Sequence, residues 1–227
     1  MTASGFGREH DRLSVPVDCI DVASIPMTLV STSGFHCEVW QSMGYLRDAD
    51  AGVFIDFVLK RHLDPCPLVQ TRIYARDHRT LRSALGATVP DARFVATRVD
   101  GVENVIVLAE TCTPWFDVAN PGNEEETVAL LRSRPRAARA LARFVRVALA
   151  WAQAPVQRVI DLFGRENLVL DRSYRLRYLD SFGVFYYPDI LDVVAEPDPA
   201  LAQRIEISLA RLDYLRNVAA AVGARGD

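Results

Sequence analysis

The stretch Arg158–Gly183, RVIDLFGRENLVLDRSYRLRYLDSFG, decides how this chain is read. Asp161 is followed by the amide Asn167. A hairpin, Asn167 to Asp171 against Arg175 to Asp180 around Arg172-Ser173, then carries a second acid to a Phe-Gly turn. Phosphoryl transfer to a hydroxyl needs such a set. One carboxylate orients the nucleophile, while an amide and a second carboxylate hold a metal against a triphosphate. Magnesium is a hard ion that prefers oxygen ligands, which Asn167 and Asp180 both offer.

A second signal lies upstream. The chain holds 26 lysines and arginines together, and Lys60 is its only lysine. It sits in Phe54–His62, FIDFVLKRH, which reads as a buried strand. A compact ammonium reaching a phosphate from a strand is hard to replace with a guanidinium, whose planar fork is wider and seeks bidentate partners.

Composition excludes several classes. Half of the 227 residues are apolar and 24% are charged, the profile of a globular protein with one large domain or two lobes. A net charge of −3, with both signs spread along the chain, offers no broad basic face to nucleic acid. The basic run Arg132 to Arg146 alternates with apolar residues at helical spacing and reads as a solvated helix face. Cys19, Cys37, Cys66 and Cys112 lie far apart, which predicts reduced thiols and neither a zinc site nor a disulfide framework. No signal peptide and no membrane span is expected, so the expected location is cytoplasmic, with export as an effector by a specialised route the alternative.

The order of elements follows from periodicity and turn chemistry. Residues 1–24 read as a flexible polar tail. Pro26–Ser31 and Cys37–Gln41 read as strands, and a loop with Gly44, Asp48, Asp50 and Gly52 leads into the Lys60 strand. An amphipathic helix over Val69–Leu85, marked by Ile73, Asp77, Leu81 and Ala84, stops at Gly86. Ala92–Val99 and Asn104–Ala109 flank Asp100-Gly101, a hairpin signal. Glu110–Gly122 reads as a connector, and Arg136–Gln153 as a helix with a stripe through Ala140, Phe144, Ala148 and Trp151. Asp198 caps a last helix opened by Pro199, with Ile205, Leu209, Leu212 and Leu215 as its apolar stripe. His36, His62 and His78 read as surface or packing residues, and Trp40, Trp115 and Trp151 as core.

In this order the chain resembles the protein-kinase-like superfamily, particularly its compact bacterial members, over roughly residues 26 to 185. Asn167 and Asp180 are 13 residues apart, the usual separation of the family's catalytic-loop Asn from its Asp-Phe-Gly aspartate. Asp-Ser-Phe-Gly departs from the family's motif by one inserted serine, or by Asp-Ser standing for its Asp-Phe. Asp161 lies six residues before Asn167 where the family has five, and no His-Arg precedes it. Val58-Leu59-Lys60 is similar to the family's Val-Ala-Ile-Lys strand, and Asp77 stands where the family has its lysine-pairing glutamate. Glu110, before Thr111–Trp115, fits the hinge. Gly34 alone remains of the family's glycine loop.

The resemblance implies an α+β, two-lobed kinase-like fold, with a strand-rich N-lobe and hinge at 25–115 and a truncated helical C-lobe at 116–227. It implies ATP and magnesium as cofactors, with Ser33, Gly34, Val39, Lys60 and Glu110 at the nucleotide. Lys60 would contact the phosphates and be held by Asp77, Asn167 and Asp180 would hold the metal, and Asp161 would orient an acceptor hydroxyl. That acceptor would belong to a small molecule, a lipid-linked sugar or a protein. A pseudokinase that binds nucleotide or a protein partner without turnover is the rival, and nucleotidyl transfer is a third outcome.

Overall fold

A computed structural model describes residues 27–31, 37–42, 44–47, 52–193 and 198–223. The expected tail at 1–24 lies outside them, as do Ser33 and Gly34. The chain is a mixed α+β protein whose described residues divide into two compact units. One comprises those up to Arg76 together with Asp91–Thr111; the other comprises Asp77–Pro90 and the residues from Cys112 onward.

The first unit is built on a five-stranded antiparallel sheet. Its strands are β1 (Met27–Ser31), β2 (Cys37–Ser42), β5 (Phe57–His62), β6 (Ala92–Val99) and β7 (Val102–Glu110), in the order β1-β2-β5-β7-β6. Asp100 and Gly101 both take positive φ, 51° and 81°. Two such residues make the turn whose twist matches paired strands, which is why the Asp-Gly pair forms the β6–β7 hairpin. β3 (Gly44–Arg47) and β4 (Gly52–Ile55) form a separate antiparallel pair. This corrects two expectations: the segment read as a loop is a hairpin, and the strand read as Phe54–His62 breaks at Asp56. Asp56 leaves the ladder and accepts from the Thr111 hydroxyl at 2.6 Å.

The helix α1 (Leu68–Leu85) follows β5 and passes from one unit into the other after Arg76. Gly86 ends it at φ +61°, a conformation costly for residues with a Cβ. Ile73, expected on the buried stripe, is exposed, whereas Ala75, Asp77 and Leu81 are buried. Asp77 and Leu81 thus lie on the inward face as expected, Ala84 is partly buried at its edge, and Ile73 alone of the expected stripe turns outward.

The second unit holds α2 (Glu124–Ser133), α3 (Pro135–Ala152), the short α4 (Asp189–Val193) and α5 (Pro199–Gly223). Leu131 of α2, Leu141, Phe144 and Ala148 of α3, and Leu212 and Leu215 of α5 share one core. Ala140 and Trp151 of the expected α3 stripe are only partly buried at its edge. Pro199 opens α5 at its first position, and Asp198 Oδ1 accepts from the Ala200 amide at 2.9 Å, the expected cap. Ser208, not Leu209, faces inward: Leu209 is 38% exposed and Ser208 is fully buried.

Small antiparallel sheets complete this unit. β10 (Leu168–Asp171) pairs with β11 (Leu176–Tyr178) on one side and β8 (Pro114–Asp117) on the other, while β9 (Val159–Ile160) pairs with β12 (Phe185–Tyr186). The segment read as a connector thus contributes a strand, β8. It also exposes Trp115, at 48%, which corrects its reading as core. Trp115 meets Tyr174 edge-on at 5.1 Å.

The hairpin β10–β11 is anchored by a buried ion pair. Arg177, 4% exposed, sends Nε to Asp171 Oδ2 at 3.2 Å and Nη1 to the Ala87 carbonyl at 2.7 Å. Asp171 Oδ1 also accepts from the amides of Ser173 and Arg175, closing the turn. Removing Arg177 leaves buried Asp171 with only the exposed Arg175, 3.5 Å from its Oδ2, as a cationic partner. Arg177→Met is therefore expected to lower unfolding free energy by about 3 kcal/mol in urea titrations. A loss under about 1 kcal/mol would show the pair to be effectively solvated.

Candidate functional site

In the first unit, register places Lys60 opposite Val39 of β2 and opposite Val107 of β7. Residues directly opposite in antiparallel pairs share a face, so Lys60 rises from a central strand among Val39, Val107 and Phe94. His62, two residues on and on the same face, stacks on Tyr74 of α1 at 5.8 Å. Lys60 is 9% exposed, and a cation so placed requires an anionic or polar partner. Val39 and Lys60, both expected at the nucleotide, are brought side by side. Glu110 ends β7 opposite Phe57 and is exposed.

The second unit gathers the other candidate residues. β9 leads directly into Asp161, whose amide donates to the Val184 carbonyl at 3.0 Å, extending the β9–β12 pairing by one step. The loop from Asp161 to Asn167 then turns back into β10. Asn167 closes this loop: its Nδ2 donates to the Asp161 carbonyl at 3.2 Å. The Tyr178 hydroxyl donates to the same carbonyl at 2.9 Å. A Cβ at Gly164 would lie 2.5 Å from Asn167 Oδ1, so only glycine admits the amide there. Glu166 takes φ +61°, an uncommon state for a residue with a side chain, immediately before Asn167. The loop holds a local strain that its closing bonds offset.

Asp180 follows β11, and the Leu179 amide ties this strand end to the Asn167 carbonyl at 2.8 Å. Asp180 Oδ1 accepts from the Ser181 and Phe182 amides at 2.6 and 3.1 Å. The inserted serine therefore supplies one of the two amides that orient the carboxylate.

Asp161 is 4% exposed, and its Oδ1 accepts from the Phe163 amide at 2.7 Å. Burial first, and the charge of Asp180 second, push its carboxyl from an ordinary 3.8 up to about 6. Bonds from the Phe163 amide, the Tyr186 side chain and the Gly164 amide oppose that rise. Burial, with the charge of Asp161 behind it, also holds the Tyr186 phenol protonated far above the usual range. Asp180 thus lies close enough for its charge to act on the Asp161 carboxyl. The donor set suits a hard divalent ion: Asn167 uses its nitrogen for Asp161, leaving an amide oxygen, and the Asp180 carboxylate is oriented through one oxygen.

Asp77, buried on α1, accepts from the Tyr187 hydroxyl at 3.0 Å. This partner, just beyond β12, has no local sequence signal. Sequence reading also missed the contribution of α5. Ser208 Oγ accepts from the Leu162 amide at 3.1 Å, and Arg211 donates to the carbonyls of Leu162, Phe163 and Gly164. Arg204 lies 5.9 Å from the Phe163 ring. The available signal was a serine at a buried helical position between Ile205 and Leu212.

Asp161, Asn167 and Asp180 thus share one hydrogen-bonded locus in the second unit, with Asp77 in the same unit. Lys60, Val39 and Glu110 belong to the first. The chain matches no protein-family model and no curated protein by sequence. Among the described residues no helix is long and apolar enough to cross a membrane.

Proposed function

We propose that this chain is a kinase-like phosphotransferase of two lobes, dependent on ATP and magnesium. The observation that carries the reading is the closed loop joining Asp161 and Asn167, tied through Leu179 to a strand end bearing Asp180. It supports the resemblance because acid, amide and second acid meet through bonds between residues that sequence order alone only aligned.

In this reading Asp161 orients the acceptor hydroxyl and takes its proton as the acceptor oxygen bonds the γ-phosphorus and the β–γ bridging bond breaks, releasing ADP. A carboxyl titrating near 6 is ionised at neutral pH yet basic enough to share that proton. Asn167 and Asp180 are the residues that would hold magnesium, which when bound supplies charge neutralisation at the phosphates. Lys60 would neutralise the α- and β-phosphates, with Asp77 as its anionic partner. Val39, beside Lys60 on the sheet, would cover the adenine, and backbone groups at Glu110 would bind it. The acceptor is a hydroxyl on a small molecule, a lipid-linked sugar or a protein. The reaction is proposed for the cytoplasm, or for a host cell if the chain is exported.

Thermal melting with ATP, with and without magnesium, tests this. A ligand at about a hundred times its Kd stabilises the folded state by about 2.7 kcal/mol, which corresponds to a rise of roughly 5–10 °C in a chain of this size. The rise should require magnesium and should disappear in Asp180→Asn. No rise at millimolar ATP in either condition would leave a scaffold without nucleotide as the better reading. A magnesium-dependent rise with no transfer to any acceptor would favour a nucleotide-binding pseudokinase.

A further inference from the structure

Arg211 lies on α5, 50 residues beyond Asp161. Its Nη1 donates to the carbonyl of Leu162, to that of Phe163 at 3.0 Å and to that of Gly164 at 3.1 Å. The amides across the same peptide bonds face the other way. The Leu162 carbonyl and the Phe163 amide belong to one planar unit, and the Phe163 carbonyl and the Gly164 amide to the next. The Phe163 amide donates to the Asp161 carboxylate at 2.7 Å, and the Gly164 amide, next along the chain, favours the charged form of the same carboxylate. Two consecutive peptide planes are therefore held at one edge by a cation and present the other edge to an anion.

We propose that Arg211 is a positioning residue for Asp161, acting through the two peptide planes between Leu162 and Gly164. The inference rests on the reading of Asp161 as the working carboxylate. Planarity makes the coupling mechanical: fixing a carbonyl fixes the amide that points oppositely on the same plane. It also makes the coupling electrical, because a carbonyl bonded to a cation polarises its own amide into a stronger donor. Ser208 assists from one turn earlier, fixing the Leu162 amide so that the loop enters its turn in one orientation. Arg204, Ser208 and Arg211 fall at steps of four and three, so one stripe of α5 meets residues 162–164.

The other groups around Asp161 do not duplicate this. Asp180 repels it from the loop after β11, and Tyr186 of β12 donates to its carboxylate. Tyr178 of β11 and Asn167 both donate to its carbonyl, so they fix its backbone. Arg204 acts on Tyr186 and on the face of Phe163. Arg211 alone of these grips the peptide planes that carry the carboxylate's amide donors.

The test compares wild type with Arg211→Met, which keeps the apolar stem, and with Arg211→Lys, whose single ammonium spans fewer carbonyls. Amide hydrogen exchange is followed at Phe163 and Gly164. In Arg211→Met the two amides should exchange at least about tenfold faster. Arg211→Lys should fall between. In a transfer assay kcat should drop while Mg-ATP affinity stays near wild type, a split that loss of fold would not produce. Unchanged exchange at both amides in Arg211→Met overturns the proposal. Should that variant not fold, wild-type exchange in Arg211→Lys overturns it. Faster exchange at both amides in a chain that transfers nothing would uphold Arg211 as positioner and overturn the phosphotransferase reading instead.

Discussion

Asp161→Asn is expected to melt higher than wild type at pH 7.5 with magnesium chelated, and to have lost transfer activity. The carboxyl of Asp161 titrates near 6 in the folded chain against an ordinary 3.8, with burial the larger cause and Asp180 the second. The folded state therefore binds a proton more tightly than the unfolded state. For such a group stability falls as pH rises through the window from about 4 to about 6, where the native chain must surrender a proton it holds well. At about 1.4 kcal/mol for each pH unit, the penalty at neutral pH reaches about 3 kcal/mol as an upper bound. Asparagine removes the charge and keeps an oxygen for the Phe163 amide. The Tyr186 hydroxyl can turn to accept from the new amide. The variant's advantage should thus be full above pH 6 and gone below pH 4, where both folded and unfolded wild-type carboxyls are protonated. Melting curves across this range read it directly. A variant less stable than wild type at pH 7.5 would show that the carboxylate is held by net attraction and has no elevated titration. Activity of the wild type should in turn fall on acidification through pH 6, as the base becomes protonated.

A residue whose removal raises stability and ends transfer would carry the usual sign of a site kept for function. The contrast with Asp171 sharpens it. Both are buried aspartates on the same loop-and-hairpin segment, but Asp171 has Arg177 at 3.2 Å and two turn amides. Asp161 has a second carboxylate for a neighbour. One is arranged to stabilise the turn; the other holds a charge that the fold alone does not need.

How far the sequence could be read depended on whether the signal was local. Asp100-Gly101 and Asp198-Pro199 encode their turn and cap in adjacent residues, because positive φ and an N-terminal cap are backbone matters. Arg172-Ser173 likewise marked its hairpin. β3 and β4 were missed since Gly44, Asp48, Asp50 and Gly52 look like loop residues, and the pairing of the two short segments is not a local property. β8 was missed for the same reason: Pro114–Asp117 is a strand only because β10 lies beside it. At the site, the spacing of Asp161, Asn167 and Asp180 was visible in order. Ser181, by which the segment departs from Asp-Phe-Gly, gives its amide to Asp180, a bond that the sequence does not encode. The Tyr187 bond to Asp77 spans 110 residues, and the Arg211 bonds span nearly 50. Such contacts follow from packing and leave no periodic trace.

Lys60→Arg is the substitution with the largest expected loss in the first unit, and it bears on why the chain retains one lysine. Lys60 stands on the central strand, with Val39 and Val107 directly beside it and Phe94 beyond. Small apolar neighbours leave room for an aliphatic stem, and both lysine and arginine have one. Circular dichroism of Lys60→Arg should therefore match wild type, with any loss from overpacking held to about 1–3 kcal/mol. The head groups differ. An ammonium is a point charge with three rotatable donors, and it can sit between two phosphate oxygens. A guanidinium is planar and cannot enter that position from the same Cα without tilting away from one of them. Transfer activity should fall by about 10²–10³, the usual effect of removing one preorganised donor from developing charge. Lys60→Met provides the complementary case: the stem remains, the charge is gone, transfer should be lost, and stability should fall because the group that partners the buried ammonium is left uncompensated. Near-normal transfer by Lys60→Arg, with unchanged circular dichroism, would mean that the sole lysine is an accident of composition. The phosphate-binding role would then pass to one of the arginines. If instead both variants lose transfer and keep their fold, the scarcity of lysine has a physical cause: every other cationic position tolerates a fork, and this one requires a point.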